Sequence, residues 1–375
     1  MNVKKKLRIA IIGTRGIPAR YGGFETCVDE VATRLVELGH EVWVYCRKGN
    51  YAYDGSDYKG VKLVVLPTLR MKSLDTITHS ALSTLHLMRS RWDVVHIYGL
   101  GNAIYLVVLK LLGLRTVISV DGLEWNRKKW GWFARFWFKF SEFVVRRFAD
   151  SIIADSNVIR GYYRETHGVG AEYIPYGAYI DSLNGNEHLA ESTLASRGYV
   201  LFVGRLIPEK GVHFLINAFR DVRTDKKLVI VGDDPYHKEY VDSLKRSGDG
   251  RVVFMGYVYG DRYSDLCKHA YLYVQPSELE GTSPALLAAM GYGCCVLVNG
   301  IDENRETIAD AGLVYARNDV VDLSRKLQYL VDNPAVVEDY RRRAIARVTA
   351  HYNWDTIAGD MERLYMGISG KGRER

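Results

Sequence analysis

The chain alternates short, almost wholly apolar runs with longer segments of helical periodicity, and it runs through this series twice. Leu7–Ile12, Glu41–Cys46, Val61–Leu66, Val94–Tyr98, Arg115–Val120 and Ser151–Ala154 read as strands. Strands that are apolar on both faces fit a parallel sheet covered by helices on either side. Between the first two lies Thr26–Leu38. Its Val28, Val31, Ala32, Leu35 and Val36 recur at helical spacing before Gly39 stops it. The second series has strands at Tyr199–Val203, Lys227–Val231, Val252–Met255, Tyr271–Val274 and Cys295–Val298. Helices are expected between them near residues 212–220, 238–246, 262–268 and 283–292. Residues 181–198 are polar, poor in large apolar side chains, and read as the linker. The expected architecture is two doubly wound α/β domains, residues 1–180 and 181–351. A helical last segment, about 352–375, is expected to pack back on the first.

A length of 375 residues suits two such domains. With 47% hydrophobic and 25% charged residues, disordered and collagen-like chains are excluded. The five cysteines, Cys27, Cys46, Cys267, Cys294 and Cys295, form neither a disulfide framework nor a zinc pattern, which points to a reducing, cytoplasmic compartment. The longest apolar run, 103–112, is broken by Lys110 and is too short to span a bilayer. The start, Lys4-Lys5-Lys6 and then an apolar run, resembles the front of a signal peptide. Gly13-Thr14-Arg15-Gly16 follows in place of a cleavage site, so a buried first strand is the better reading.

The charge is lopsided. Residues 1–180 hold 26 basic and 16 acidic side chains, and residues 181–375 hold 25 and 28. The excess positive charge therefore lies in the first half, which is expected to meet an anionic partner. It concentrates between Arg127 and Arg147, where seven cations accompany one acid, Glu142. Four of the seven tryptophans fall between Trp125 and Trp137, among Phe133, Phe136, Phe138, Phe140 and Phe143. Aromatics mixed with Lys and Arg suit a membrane interface, so residues 125–147 are read as a peripheral contact with an anionic membrane. The alternative is a core helix with a basic solvent face. No nucleic-acid-binding module is recognisable, and no nucleic-acid partner is expected.

Ligands of doubly wound sheets bind at the carboxyl ends of the strands, so two such sheets facing each other would place chemistry in a cleft between them. Three groups in the second domain point to a nucleotide diphosphate. Gly204-Arg205 ends its first strand, and Lys210-Gly211 follows; a guanidinium and an ammonium there can clamp a diphosphate through charge-assisted hydrogen bonds. Gly281-Thr282-Ser283-Pro284 opens an apolar helix whose first amides can face an anion, with Glu278 and Glu280 just ahead to accept sugar hydroxyls. Gly232, after Val231, and Gly256-Tyr257-Val258 are strand-end turns against which a base can lie. The bland alternatives are a surface Arg and Lys, an ordinary capped helix and ordinary αβ turns.

Three stretches, Gly-Arg-Leu-Ile-Pro-Glu-Lys-Gly (204–211), Val-Gly-Asp (231–233) and Pro-Ser-Glu-Leu-Glu-Gly-Thr-Ser-Pro (276–284), resemble the donor half of retaining GT-B glycosyltransferases of the family-four type. Gly-Thr-Arg-Gly-Ile-Pro-Ala-Arg-Tyr-Gly-Gly-Phe-Glu-Thr (13–26) and Val-Asp-Gly-Leu-Glu-Trp-Asn-Arg-Lys-Lys-Trp-Gly (120–131) resemble its bacterial surface-polysaccharide, rhamnosyltransferase-like branch. The resemblance implies transfer, with retention, of a hexosyl or deoxyhexosyl group from a nucleotide-diphosphate sugar to a glycan or lipid-linked acceptor. It implies that Arg205 and Lys210 hold the diphosphate, that Glu280 lies near the donor sugar, and that Gly22 and Gly23 close on the phosphates. It also puts His96, Asp121, Glu124 and Trp125 on the acceptor side, and counts Asp121 with Arg205, Lys210 and Glu280 as catalytic. Read from the residues alone, His96 is either a core histidine or a cleft group, while Asp121, ending a strand before Gly122, favours the cleft.

One position departs from the family. Its second glutamate, which usually holds the ribose hydroxyls, falls at Ala288. Either the ribose is held otherwise, or the donor carries a deoxyribose, or activity is reduced. The last case leaves a sugar-nucleotide-binding protein with little or no transferase activity as the alternative reading. The resemblance implies a front-side displacement in which the departing diphosphate takes the acceptor proton. Such a reaction is driven mainly by electrostatics and positioning, and neither a metal nor a cofactor is expected. A dinucleotide oxidoreductase would need G-x-G-x-x-G after the first strand, which Gly13-Thr14-Arg15-Gly16 does not match.

Overall fold

The computed structural model describes residues 5–19, 22–49, 53, 55–69, 75–122, 125, 131–181 and 194–370. The chain forms two compact units, residues 1–176 with 354–375, and residues 177–353.

The first unit runs β1 (Arg8–Ile12), α1 (Gly23–Glu37), β2 (Glu41–Arg47), β3 (Asp57–Tyr58), β4 (Val61–Leu66), α2 (Asp75–Leu87), β5 (Val94–Tyr98), α3 (Ile104–Leu111), β6 (Thr116–Val120), α4 (Trp132–Phe148), β7 (Ser151–Ala154), α5 (Asn157–His167) and β8 (Glu172–Tyr173). Its eight strands lie in the order β3-β4-β2-β1-β5-β6-β7-β8. Only the β3–β4 edge pair is antiparallel. The apolar run at 103–112 is α3, which buries Leu106 and Leu109 and leaves Leu111 to solvent. No helix among the described residues is long and apolar enough to cross a membrane.

The second unit runs β9 (Tyr199–Val203), α6 (Val212–Arg220), β10 (Lys227–Val231), α7 (Lys238–Ser247), β11 (Val252–Gly256), α8 (Asp261–His269), β12 (Leu272–Gln275), α9 (Pro284–Gly291), β13 (Cys295–Asn299), α10 (Asp302–Ile308), β14 (Leu313–Tyr315), α11 (Val320–Asp332) and α12 (Pro334–His351). The sheet order is β11-β10-β9-β12-β13-β14, parallel throughout. Both units are thus doubly wound, Rossmann-like domains. The central strands β9, β12 and β13 are buried on both faces, which explains their lack of alternation.

The last helix, α13 (Trp354–Gly370), belongs to the first unit. Three polar contacts fasten it there. Arg34 pairs with Asp355 at 2.7 Å, His40 Nε2 meets Glu362 Oε1 at 2.6 Å, and His96 Nδ1 meets the Tyr365 hydroxyl at 2.6 Å. Because the Leu7 N–H donates to His40 Nδ1 at 3.1 Å, the ring proton sits on Nε2 and is donated to Glu362.

Candidate functional site

In the second unit, three adjacent strands end on glycine. Gly204 follows β9, Gly232 follows β10 and Gly256 closes β11. The Gly232 N–H donates to the Gly256 carbonyl at 2.7 Å, and the Gly204 N–H to the Val231 carbonyl at 3.0 Å. Gly232 has φ near +131°, and a Cβ there would drive into the Gly204 carbonyl. Only glycine fits. The result is a sheet edge made of backbone, over which a flat ligand can approach closely.

Beside this edge, two loops interlock. The turn Pro208–Lys210 leads into Gly211, whose αL conformation (φ +67°) leaves no room for a side chain against the Pro276 carbonyl. The Glu278 N–H donates to the Glu209 carbonyl at 2.9 Å. Across this junction the Lys210 ammonium pairs with Glu280 Oε1. Glu280 is 9% exposed, and the same oxygen accepts a second bond, 2.8 Å long, from Gln275 Nε2. The Gln275 Oε1 in turn accepts from the Tyr273 hydroxyl at 2.7 Å. The Arg205 guanidinium is half-buried and has neither an ion pair nor a hydrogen bond among the described residues. Its charge reaches Tyr257, whose pKa is raised by burial and by Asp233, Asp234 and Tyr259, with Arg205 pulling the other way. Tyr257 and Tyr259 are exposed, and their rings stack at 6.1 Å. Val258 lies between them.

Arg205, Lys210, Glu280, Gly204, Gly232, Gly256, Tyr257, Val258, Gly281, Thr282 and Ser283 therefore all lie in the turns at the carboxyl edge of one sheet. At the entrance of α9, Ser283 is the N-cap and Pro284 the first helical residue, as the sequence indicates. Pro284 has no N–H, and the Leu286 N–H is taken by the Ser283 side chain at 3.4 Å. Gln275 and Tyr273 were missed. The signal was there: a polar residue at the carboxyl end of a buried strand, one position past the expected end at Val274.

The first unit presents a different picture. Gly22, with φ near +113°, is the N-cap of α1, and Gly23 is the helix's first residue. Asp121 ends β6, half-buried, and its charge helps raise the Tyr176 phenol, after burial itself. Glu124 lies outside the described residues. The Trp125 indole N–H donates to Glu142 Oε1 at 3.0 Å, and the Lys139 ammonium sits 5.2 Å from its ring. His96 is corrected by the structure. Expected on the acceptor side, it is fully buried, with Nδ1 bonded to Tyr365 and Nε2 to the Ser119 hydroxyl at 2.8 Å. Burial lowers its pKa to about 3, so it is a neutral core histidine. A small cavity of about 10 Å³ lies nearby, between Phe24, Cys27, Tyr98, Ser119, Asp155 and Tyr176. Burial pushes the Cys27 thiol up to about 12, so it is no nucleophile at neutral pH. Among the described residues, no cluster of three or more His, Cys, Asp or Glu is placed to hold a metal ion.

Helix α4 turns Trp132, Phe133, Phe136, Phe140 and Phe143 outward along with Arg135, Lys139, Arg146 and Arg147. The one acid of this stretch, Glu142, points inward. It is 3% exposed and accepts from Trp125, from the Tyr162 hydroxyl at 3.1 Å, and faces His167 Nε2 at 3.2 Å. Residues 126–130, with their three cations, lie outside the described residues.

Comparison with known proteins follows the same division. Residues 197–333 match the family model "Glycosyl transferases group 1". Residues 6–179 match a domain of unknown function, DUF1972. O-antigen chain mannosyltransferase B of Escherichia coli is 29% identical over 187 residues, 47% of this chain and 48% of that protein, so the match spans about half its length. Glycogen synthase of Mycobacterium tuberculosis is 25% identical over 402 residues, 98% of this chain and 96% of that one. Among solved structures, sucrose-phosphate synthase from Thermosynechococcus elongatus superposes with a TM-score of 0.86 at 19% identity, covering 98% of this chain and all of that one. Anabaena HepE in complex with UDP-glucose gives 0.77 at 16% identity, covering 96% and 100%. Residues 6–179 are thus similar to the DUF1972 family and residues 197–333 to glycosyl transferases group 1, and the fold is that of the GT-B neighbours.

Proposed function

We propose that this protein transfers a hexosyl or deoxyhexosyl group, rhamnose-like in the first instance, from a nucleotide-diphosphate sugar to a glycan or lipid-linked acceptor in bacterial surface-polysaccharide synthesis, with retention of configuration. The observation that carries this reading is Arg205, without an ion pair among the described residues, in the same loop as Lys210 of the Lys210–Glu280 pair, at a sheet edge built from Gly204, Gly232 and Gly256. A diphosphate laid on such an edge meets two cations, with the Tyr257 phenol reaching across to the Asp233 carbonyl beside it. The relatives named above, a mannosyltransferase and a glycogen synthase, and the UDP-glucose held by HepE support a sugar nucleotide as donor.

In this reading the bond from the anomeric carbon to the diphosphate breaks, and the acceptor oxygen bonds on the same face. The acceptor proton passes to the departing diphosphate oxygen. Arg205 and Lys210 stabilise the charge that develops there. Ala288 leaves no carboxylate on α9 for a ribose 2′-hydroxyl, which supports a thymidine-linked donor. The outward row of aromatics and cations on α4, with Glu142 turned inward, supports peripheral attachment to an anionic membrane, at its cytoplasmic face.

A thermal-shift panel of dTDP-, UDP- and GDP-sugars tests the donor: dTDP-rhamnose is expected to raise the melting temperature most. No shift with any of them removes the reading. A product assay with labelled donor separates a transferase from the second reading, a binding protein without turnover, which Ala288 favours. Restoring Ala288→Glu is expected to strengthen ribonucleotide donors.

A further inference from the structure

Glu280 is held in an unusually one-sided way. Both of its protein donors, the Lys210 ammonium and the Gln275 amide, converge on Oε1, while Oε2 has no donor among the described residues. The Gln275 amide has one workable orientation. Its NH₂ must face the carboxylate, because two oxygens would repel, so its Oε1 must face Tyr273, whose hydroxyl then donates. The order Tyr273 → Gln275 → Glu280 is thereby fixed by chemistry. Gln275 is 1% exposed, and its Nε2 also lies 3.1 Å from the Ser277 hydroxyl and 3.2 Å from that of Ser283, the α9 cap. Ser277 is anchored from behind, its carbonyl accepting from Asn299 Nδ2 at 3.0 Å. The amide is therefore clamped from several directions, and the carboxylate cannot rotate without breaking that clamp.

We propose that Gln275, backed by Tyr273, is a positioning residue that fixes the Glu280 carboxylate with Oε2 outward, as a hydrogen-bond acceptor for a hydroxyl of the donor sugar. This rests on the reading of Glu280 as a sugar-facing residue. It goes further by naming the residues that hold Glu280 and the orientation they impose on it. With both protein donors on Oε1, the open Oε2 is left to accept a hydrogen bond, so the sugar must present an O–H to it. Gln275 itself does not touch the donor.

The test uses the full chain and three variants, Gln275→Met, Gln275→Glu and Tyr273→Phe. Binding of dTDP is compared with that of dTDP-rhamnose, with UDP and UDP-glucose in parallel. Gln275→Met should weaken binding of the sugar nucleotide at least about tenfold and leave the bare diphosphate unchanged, since one charge-assisted hydrogen bond is lost on the sugar side only. Tyr273→Phe should do the same more mildly. Gln275→Glu supplies the sharper signature. Its carboxyl can bond to Glu280 only when a proton lies between them, so its activity should climb as pH falls from 8 to 6 while the wild type does not follow. Equal loss of dTDP and dTDP-rhamnose binding would make Gln275 a mere loop support and overturn the proposal. Wild-type affinity for the sugar nucleotide in Gln275→Met would do so too. A wild-type chain that binds neither diphosphates nor sugar nucleotides would instead remove the donor-site reading on which it stands.

Discussion

The two halves share a winding, and both end central strands on glycine, Gly13 after β1 and Gly99 after β5 in the first unit, but they differ in what is packed beside those ends. In the second unit the carboxyl edge is bare backbone: Gly204, Gly232 and Gly256 in a row, with Lys210, Glu280 and Arg205 beside them. In the first unit the region around the ends of β5 and β6 is filled. His96, Tyr98, Ser119 and Tyr365 are buried against one another, and the nearby cavity is only about 10 Å³. An open edge binds through main-chain and fixed charges, whereas a filled edge supports a wall. On the proposed reading, the donor lies over the glycine-ended strands of the second unit, where side chains are withdrawn.

The strongest way to break this comparison is to remove the charges. Arg205→Ala combined with Lys210→Ala should lower kcat by a factor on the order of 10² to 10³ and abolish the thermal shift with dTDP, as loss of transition-state charge stabilisation does. Near-normal turnover would return those cations to the ordinary surface.

The glycine row comes next. Gly232→Ala puts a Cβ into the Gly204 carbonyl and should cost about 3 kcal/mol in chemical denaturation, because backbone must move. Gly256 also has positive φ, but a Cβ there meets nothing within 4 Å, so Gly256→Ala should cost only about 1 kcal/mol. Equal costs would show that conformation alone, and not the close approach of strands, governs this edge.

Acid should distinguish the halves again. The His96 pKa is lowered by burial to about 3, and that of His79, lowered by burial and by the Arg47 charge, to about 4; both lie in the first unit. An imidazole with a depressed folded pKa stays neutral while the unfolded chain takes up a proton. Its stabilisation is therefore intact above pH 6.5 and is lost as pH falls below that value. At pH 5, His96 alone accounts for about 2 kcal/mol. Hydrogen exchange between pH 7 and 5 should loosen the first unit ahead of the second, and His96→Gln should flatten the trend.

The smallest effect concerns α4. Arg135→Gln with Lys139→Gln should weaken binding to anionic vesicles at low salt about thirtyfold, at about 1 kcal/mol per charge. Full salt-insensitive binding would leave the aromatics as the sole contact. No binding by the wild type would make the outward face an ordinary, if apolar, surface.

Most of the open edge was legible in the sequence because its parts are local. Gly204-Arg205 and Lys210 lie within one turn of chain, and Glu280 to Ser283 form one loop. Glycines and charges at strand ends announce themselves where apolar runs stop. The strands expected were placed within a residue or so for the same reason, β9 being apolar throughout and β4, β5, β7 and β10 apolar but for Lys62, His96, Ser151 and Lys227, whereas the two- and three-residue strands β3, β8 and β14 carry too little pattern to be read. The filled region was not legible. His96 meets Tyr365 across 269 positions, and no periodicity couples them. A histidine at a strand end has the same appearance whether its ring nitrogens face a ligand or a buried phenol. Gln275 escaped notice because its importance lies in the two groups it joins, and only folding brings Tyr273, Gln275 and Glu280 into sequence as a chain of donors.

The fastening of α13 has a consequence for biosynthesis. Residues 354–370 leave the ribosome after the whole of the second unit has been made. Until then the nascent first unit has no Tyr365 for His96 and no Glu362 for His40. An N-terminal domain that folds early during translation ordinarily stands alone. Here one nitrogen on each of two imidazoles finds its partner only in α13, so a truncation that removes only α13 strikes the half of the protein made first.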